Sequence, residues 1–367
     1  MADEMIKKMA YTLVNYSLGV KAGEWVVVSA DTVCLPLVRE CCREILRAGG
    51  NPSVLLDDTE LGEILYKEGS EAQLSFVSPF QRSRVEMADC VLSIRGTKNA
   101  SALAGIDAKK IALRAKANGE ISRIMNRRAD SGELRWSLTQ YPTQADAQQA
   151  GMSLTDYEEF IYGACLLYET DPVAAWKAVR ERQQGMVELL NGVSELRITA
   201  LDTDIVMSVK GRNWVNSDGR HNFPSGEVFS APVEDSVNGK VRFSFPGIYM
   251  AKEIENICLT FKNGEVVDFS ADKGEELLAE ILRLDEGSRR LGEIAIGTNY
   301  GIQRFTKNML FDEKLGGTVH MALGNAYGEC GGRNVSAIHW DMLCDMKQCG
   351  KIYADGKLIY ENGRMLE

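Results

Sequence analysis

Long apolar runs are missing from this chain. No stretch approaches the roughly 18 apolar residues that a membrane span requires. The first twenty residues mix charge with apolar side chains at helical spacing, unlike the continuous core of a signal peptide. Positive charge is also short: 42 Lys and Arg stand against 52 Asp and Glu, a formal net charge of −10. A surface of that sign repels phosphate backbones and anionic lipid, so nucleic-acid and membrane partners are not expected, while a metal ion or a substrate amine is favoured. The nine cysteines are odd in number and irregular in spacing, with no C-x-x-C pair. They read as reduced thiols of a cytoplasmic protein and not as a disulfide framework.

Several motifs are absent. No G-x-G-x-x-G follows a predicted strand and no G-x-x-x-x-G-K-[ST] occurs, so an N-terminal nucleotide-binding module has no motif support. Without G-x-S-x-G there is no nucleophile elbow, and without H-E-x-x-H there is no helical zincin site. Histidine itself is scarce: His221, His320 and His339 are all there is.

What is present is a globular composition, 367 residues of which 45% are hydrophobic, more than one compact domain holds comfortably. The first half alternates strand and helix signals. Glu24–Ala30 is a β-branched run, and Leu35–Ala48 carries Leu35, Val38, Cys42, Ile45 and Leu46 at helical spacing. Gly49-Gly50 stops it and Pro52–Leu56 reads as a second strand, completing a β-α-β unit that implies a parallel sheet. Cys90–Arg95 predicts a further strand and Ala108–Arg128 a long helix. Thr155 with Glu158 resembles a capping box, and Asp171-Pro172 opens a helix that Asn191-Gly192 ends. The second half reads as short strands joined by tight turns at Asn263-Gly264 and Asp355-Gly356, with one helix at Gly274–Arg283. The expected architecture is an α/β domain over residues 1–190 with parallel β-α-β units, then a mostly antiparallel α+β domain over 191–367.

The second half also holds the histidines. In SAIHWDMLCDM, His339 and Asp341 are two apart in an apolar, strand-like run, so they share a face with Trp340 opposite. A buried Asp needs a partner, which makes the pair either half of a metal site or a His–Asp hydrogen bond that closes a core. His320 lies in a second such run bounded by Gly316-Gly317 and Gly324, and Tyr327 is in the glycine-rich loop after it. Glu227 follows the turn Pro224-Ser225-Gly226, and Glu293 precedes an apolar run. Each glutamate reads equally as a surface residue at a strand start.

Together the segments PSGEVFSAP, LGEIAIGTN, FDEKLGGTVHMALGNAYGECGG and SAIHWDMLCDM resemble the M29 metallo-aminopeptidases, as does RWSLTQYPTQADAQQAGMSLTDYEEFIYGA in the first half. The resemblance implies a pair of divalent ions, zinc, cobalt or magnesium with manganese also fitting, held by Glu227, Glu293, His320, Tyr327, His339 and Asp341. It implies catalytic roles for Glu227, Glu293 and Tyr327, peptide substrates with a free N-terminus, and a first domain that helps cover the site and supports a homodimer. His221 matches none of the ligands and reads as structural or as a pocket wall. His320 and His339 are only 19 apart, which implies a trimmed loop between them. Other metal-dependent amidohydrolases or dipeptidases, and a non-catalytic protein retaining the fold, are the competing readings.

Overall fold

The computed structural model describes residues 2–250 and 252–366, and it divides into two compact units. The first runs to Ala175 and takes back Gly219–Pro224; the second comprises Trp176–Asp218 and the chain from Ser225. The division thus falls inside the helix Pro172–Asn191, after its first turn. The reason is packing: Val187 and Leu190 from that helix belong to the apolar core of the second unit.

The first unit is built on a parallel sheet ordered Asn51–Asp57, Trp25–Asp31, Cys90–Arg95, Arg135–Gln140 and the two-residue strand Asn222–Phe223. Its central strands are buried on both faces, which is why Val26–Val28 and Cys90–Leu92 read as continuous apolar runs. Helix Leu35–Arg47 buries Leu37, Val38, Cys41 and Ile45, whereas Leu46 is exposed and Cys42 only half-buried. Two stripes of that helix have helical spacing, and the neighbouring one packs against the helix Ala2–Thr12 and the sheet. The cap of helix Leu154–Ala164 is also displaced from its expected place: Ser153, and not Thr155, accepts a first-turn backbone N–H, that of Asp156.

In the second unit two antiparallel sheets share one apolar core. The larger is ordered Glu265–Ser270, Cys258–Lys262, Asn238–Arg242, Thr203–Ser208, Glu195–Ala200, Lys351–Ala354, Lys357–Glu361, Arg364–Met365. Asn263-Gly264 and Asp355-Gly356 both make their hairpin turns with two successive positive φ angles, the geometry that suits the strand twist. The smaller sheet is ordered His339–Asp345, Thr318–Gly324, Leu291–Gly297, Glu227–Ser230, Val215–Ser217. Its alternate residues Val228, Ile294, Ile296, Val319, Met321, Leu323, Trp340, Met342 and Cys344 point into the core beside Ile198, Ile205, Leu259 and Phe261 of the larger sheet. Besides helix Glu275–Ile281, expected from the sequence, a one-turn helix forms at Met309–Asp312.

Candidate metal centre

The other face of the smaller sheet carries the chemistry. Antiparallel register places Glu293 beside Ala322 and Ala322 beside Asp341, Ala295 beside His320, Gly297 beside Glu227, and Gly324 beside His339. Cross-strand partners share a face, so five of the six expected residues project from one surface. The residues between them are Ala or Gly, which leaves room for the longer side chains to converge.

Glu293 reaches this face through a β-bulge. Leu291 pairs with Leu323 and points to the core, and by strict alternation Glu293 would follow it there. The extra residue, Gly292, turns Glu293 to the opposite side. A Cβ on Gly292 would lie 2.3 Å from the Gly324 carbonyl oxygen and 2.5 Å from that of Asn325, so the bulge has space only for glycine.

The two oxygens of Glu293 face different histidines. Oε2 is 2.9 Å from His339 Nε2, and Oε1 is 3.6 Å from His320 Nε2. His320 Nε2 also faces Glu227 Oε2 at 3.5 Å, and His339 Nε2 faces Asp341 Oδ1 at 3.6 Å. The arrangement is two half-sites, Glu227 with His320 and His339 with Asp341, sharing one central carboxylate. Glu293, His339 and Asp341 each offer a ligand atom within 4.8 Å of the others. Asn325 carbonyl oxygen accepts from His339 Nδ1 at 2.7 Å, which fixes the ring and aims Nε2 at the cluster. Tyr327 packs its ring 4.8 Å from that of His339 and 5.6 Å from that of Phe229.

Burial makes this cluster costly as it stands. Glu227, Glu293, His320 and Asp341 are all under 9% exposed. Glu227 Oε2, His320 Nδ1 and Asp341 Oδ1 have no hydrogen-bond partner. Burial opposes the charge on Glu293, but the bonds to His320 and His339 outweigh it and hold the carboxyl below its ordinary range. Both imidazoles are likewise pushed up against the effect of burial, chiefly by Glu293. Burial raises Asp341, with Glu293 and Glu313 adding to it, and raises Glu227 against the pull of Lys314. The Tyr327 phenol is pushed up by burial and by the neighbouring carboxylates. Protons thus stand where cations would balance the carboxylates. Mixed imidazole and carboxylate donors with orphaned lone pairs fit divalent transition ions, whose binding would release those protons.

Further residues join the site. Lys314 is fully buried, with Nζ 3.5 Å from Glu227 Oε1, and it donates a hydrogen bond to Glu313. Gln183 Nε2, from helix Pro172–Asn191, donates to the carbonyls of Ser217 (3.0 Å) and Glu227 (3.2 Å), while Thr298 Oγ1 donates to its Oε1. The Asp-Glu-Lys triplet ahead of an apolar strand is visible in the sequence; nothing local marks Gln183. His221 lies in the first unit, its ring stacked on Trp136 at 4.8 Å.

A family model described as thermophilic metalloprotease (M29) matches residues 2–365. Aminopeptidase AmpS of Bacillus subtilis is 30% identical over 404 aligned positions, covering 98% of each chain. Aminopeptidase 2 of Geobacillus stearothermophilus is 30% identical over 352, covering 89% of this chain and 84% of that one. Among solved structures, wild-type AmpT from Thermus thermophilus superposes with a TM-score of 0.85 at 25% identity over 99% of both chains.

Proposed function

The chain belongs to the thermophilic metalloprotease family M29, and on that premise we propose that its two half-sites hold two divalent ions with which it removes N-terminal residues from peptides. It is a metal-dependent aminopeptidase. The observation that carries the two-ion reading is Glu293, whose oxygens each face a different histidine. On this reading Glu227 and His320 would hold one ion and His339, Asp341 and Tyr327 the other, with one oxygen of Glu293 available to each. Zinc, cobalt, manganese and magnesium all suit such donors. When bound, the ions supply a water ionised near neutral pH and a polarised peptide carbonyl.

The chain's own groups do the rest. Glu313 is the carboxylate at the site outside the six, its side chain 18% exposed and held by Lys314. We assign it the proton taken from the attacking water and returned to the leaving amine. Tyr327, its ring against that of His339, would meet its ion through a phenol oxygen lone pair, and we assign its O–H the hydrogen bond donated to the carbonyl oxygen as that oxygen gains charge. Glu227 and Glu293 fix the reacting groups between them, and the acidic surroundings favour a substrate that brings a free ammonium.

A cytoplasmic setting is part of the proposal, supported by the absence of any disulfide among the described residues. No helix among the described residues is long and apolar enough to cross a membrane. We assign the first unit to covering the site and to dimerisation. Its sheet ends in the edge strand Asn51–Asp57, and there Val54, Leu56, Leu61 and Ile64 are 41–66% exposed, an apolar face suited to a second copy.

The test is hydrolysis of leucine-p-nitroanilide with and without added cobalt, beside His339→Ala and an N-acylated substrate. Metal-dependent cleavage of the free amine alone, lost in the variant, is expected. Cleavage that survives N-acylation would turn the reading towards an amidohydrolase.

A further inference from the structure

The two half-sites are not electrostatically alike. Glu227 gives one oxygen to His320 and the other to the Lys314 ammonium, each at 3.5 Å. Among the described residues no lysine or arginine comes within 4.0 Å of Glu293 or Asp341, and Lys314 acts on Asp341 only at longer range and less than on Glu227. Nor is Lys314 free to swing away. It is 0% exposed, its backbone N–H donates to Phe311 O, and its carbonyl accepts from Asn299 N, both at 3.0 Å. The turn that delivers it is pinned by Asp312 Oδ1, which accepts from Thr306 N and Oγ1 at 2.7 and 2.9 Å.

We propose that Lys314 makes the metal centre unequal, so that the His339–Asp341 half retains its ion while the Glu227–His320 half holds its ion weakly and exchanges it with the medium. A fixed ammonium in contact with Glu227 occupies part of that carboxylate's charge and repels any second cation it binds. Even with the screening of bulk water, a monovalent and a divalent cation roughly 6 Å apart lose about tenfold in binding, and burial enlarges the effect. The same lysine balances Glu227 and Glu313 when the weak half is empty, so the fold tolerates losing that ion. Activity then follows the ambient concentration of divalent metal, with Lys314 setting the concentration at which the enzyme switches on. This rests on the cluster being the metal centre.

The experiment is calorimetric titration of the metal-stripped chain with cobalt, repeated on Lys314→Gln, Lys314→Met and Lys314→Arg. Wild type should bind in two separated steps. In the Gln and Met variants the weak step should tighten by at least about tenfold, with the tight step staying within about threefold, and Arg should keep the wild-type pattern. Gln retains a donor for Glu313, which guards against a variant that fails to fold. As a measurement needing no variant, chelator should strip cobalt from wild type in two phases. Equal sites in wild type, or a weak step unmoved in both neutral variants, would overturn the proposal. Wild type that binds no divalent ion at all would instead overturn the metal-centre reading beneath it.

Discussion

Replacing Gly292 by alanine tests how the bulge builds the site. Its φ lies outside the left-handed region, so alanine is conformationally allowed there and only space opposes it. The added Cβ would stand 2.3 Å from one backbone oxygen and 2.5 Å from another, when such contacts below 3.0 Å are essentially never seen. One strand must give by at least about 0.7 Å, the shortfall from that limit. Neither can do so harmlessly. Moving the bulged strand carries Glu293 with it, and moving its neighbour carries Asn325, whose carbonyl orients His339. A misplacement of about 1 Å at a catalytic group costs about a hundredfold, so kcat/KM should fall roughly 10- to 100-fold. The strain should cost about 1–3 kcal/mol, seen in thermal unfolding as a Tm lowered by roughly 2–12 °C. Gly119→Ala, in helix Ala108–Asp130 with nothing within 4 Å of its Cβ, is the control and should raise Tm slightly. A Gly292→Ala enzyme with kcat/KM within about threefold of wild type would refute the claim that the bulge sets the position of Glu293.

Tyr327→Phe should lower kcat by roughly 10- to 1,000-fold, the usual loss of an oxyanion donor, with Tm almost unchanged because the residue is 42% exposed; steady-state kinetics beside a melting curve will show whether the two separate. Asp312 predicts a pH dependence of stability. Burial raises its carboxyl from 3.8 to about 7, against three backbone donors and the Thr306 hydroxyl. The folded state therefore holds a proton that the unfolded state has lost between those values. Its stabilising contribution is full below about pH 4 and is lost as pH rises through about 7, by up to about 4 kcal/mol. Denaturant titrations of metal-free protein from about pH 4 to 8 should show that fall for wild type and a flatter profile for Asp312→Asn; equal profiles would contradict the assignment.

The parallel sheet and the hairpins were legible because they follow from local signals: β-branched runs, a helix stopped by Gly49-Gly50, and Asn-Gly and Asp-Gly turns. His339 and Asp341 were legible as a pair because the two-residue period of a strand puts them on one face. The remaining residues were not readable locally. Glu293 sits two positions beyond Leu291, across a bulge that alternation alone would miss, and its value to the site depends on cross-strand register with Ala322. Gln183 acts across 44 positions of sequence on the backbone of Glu227. The buried stripe of helix Leu35–Arg47 was decided by the helix Ala2–Thr12 and the sheet that pack against it, and not by its own periodicity. Lys314, as a charged residue, looks like surface until the fold encloses it against two carboxylates.

The most direct measurement is anomalous diffraction from a cobalt-loaded crystal. The account predicts two peaks astride Glu293, one beside Glu227 and His320 and a stronger one beside His339, Asp341 and Tyr327. An active, fully loaded enzyme with no peak at this cluster would contradict it.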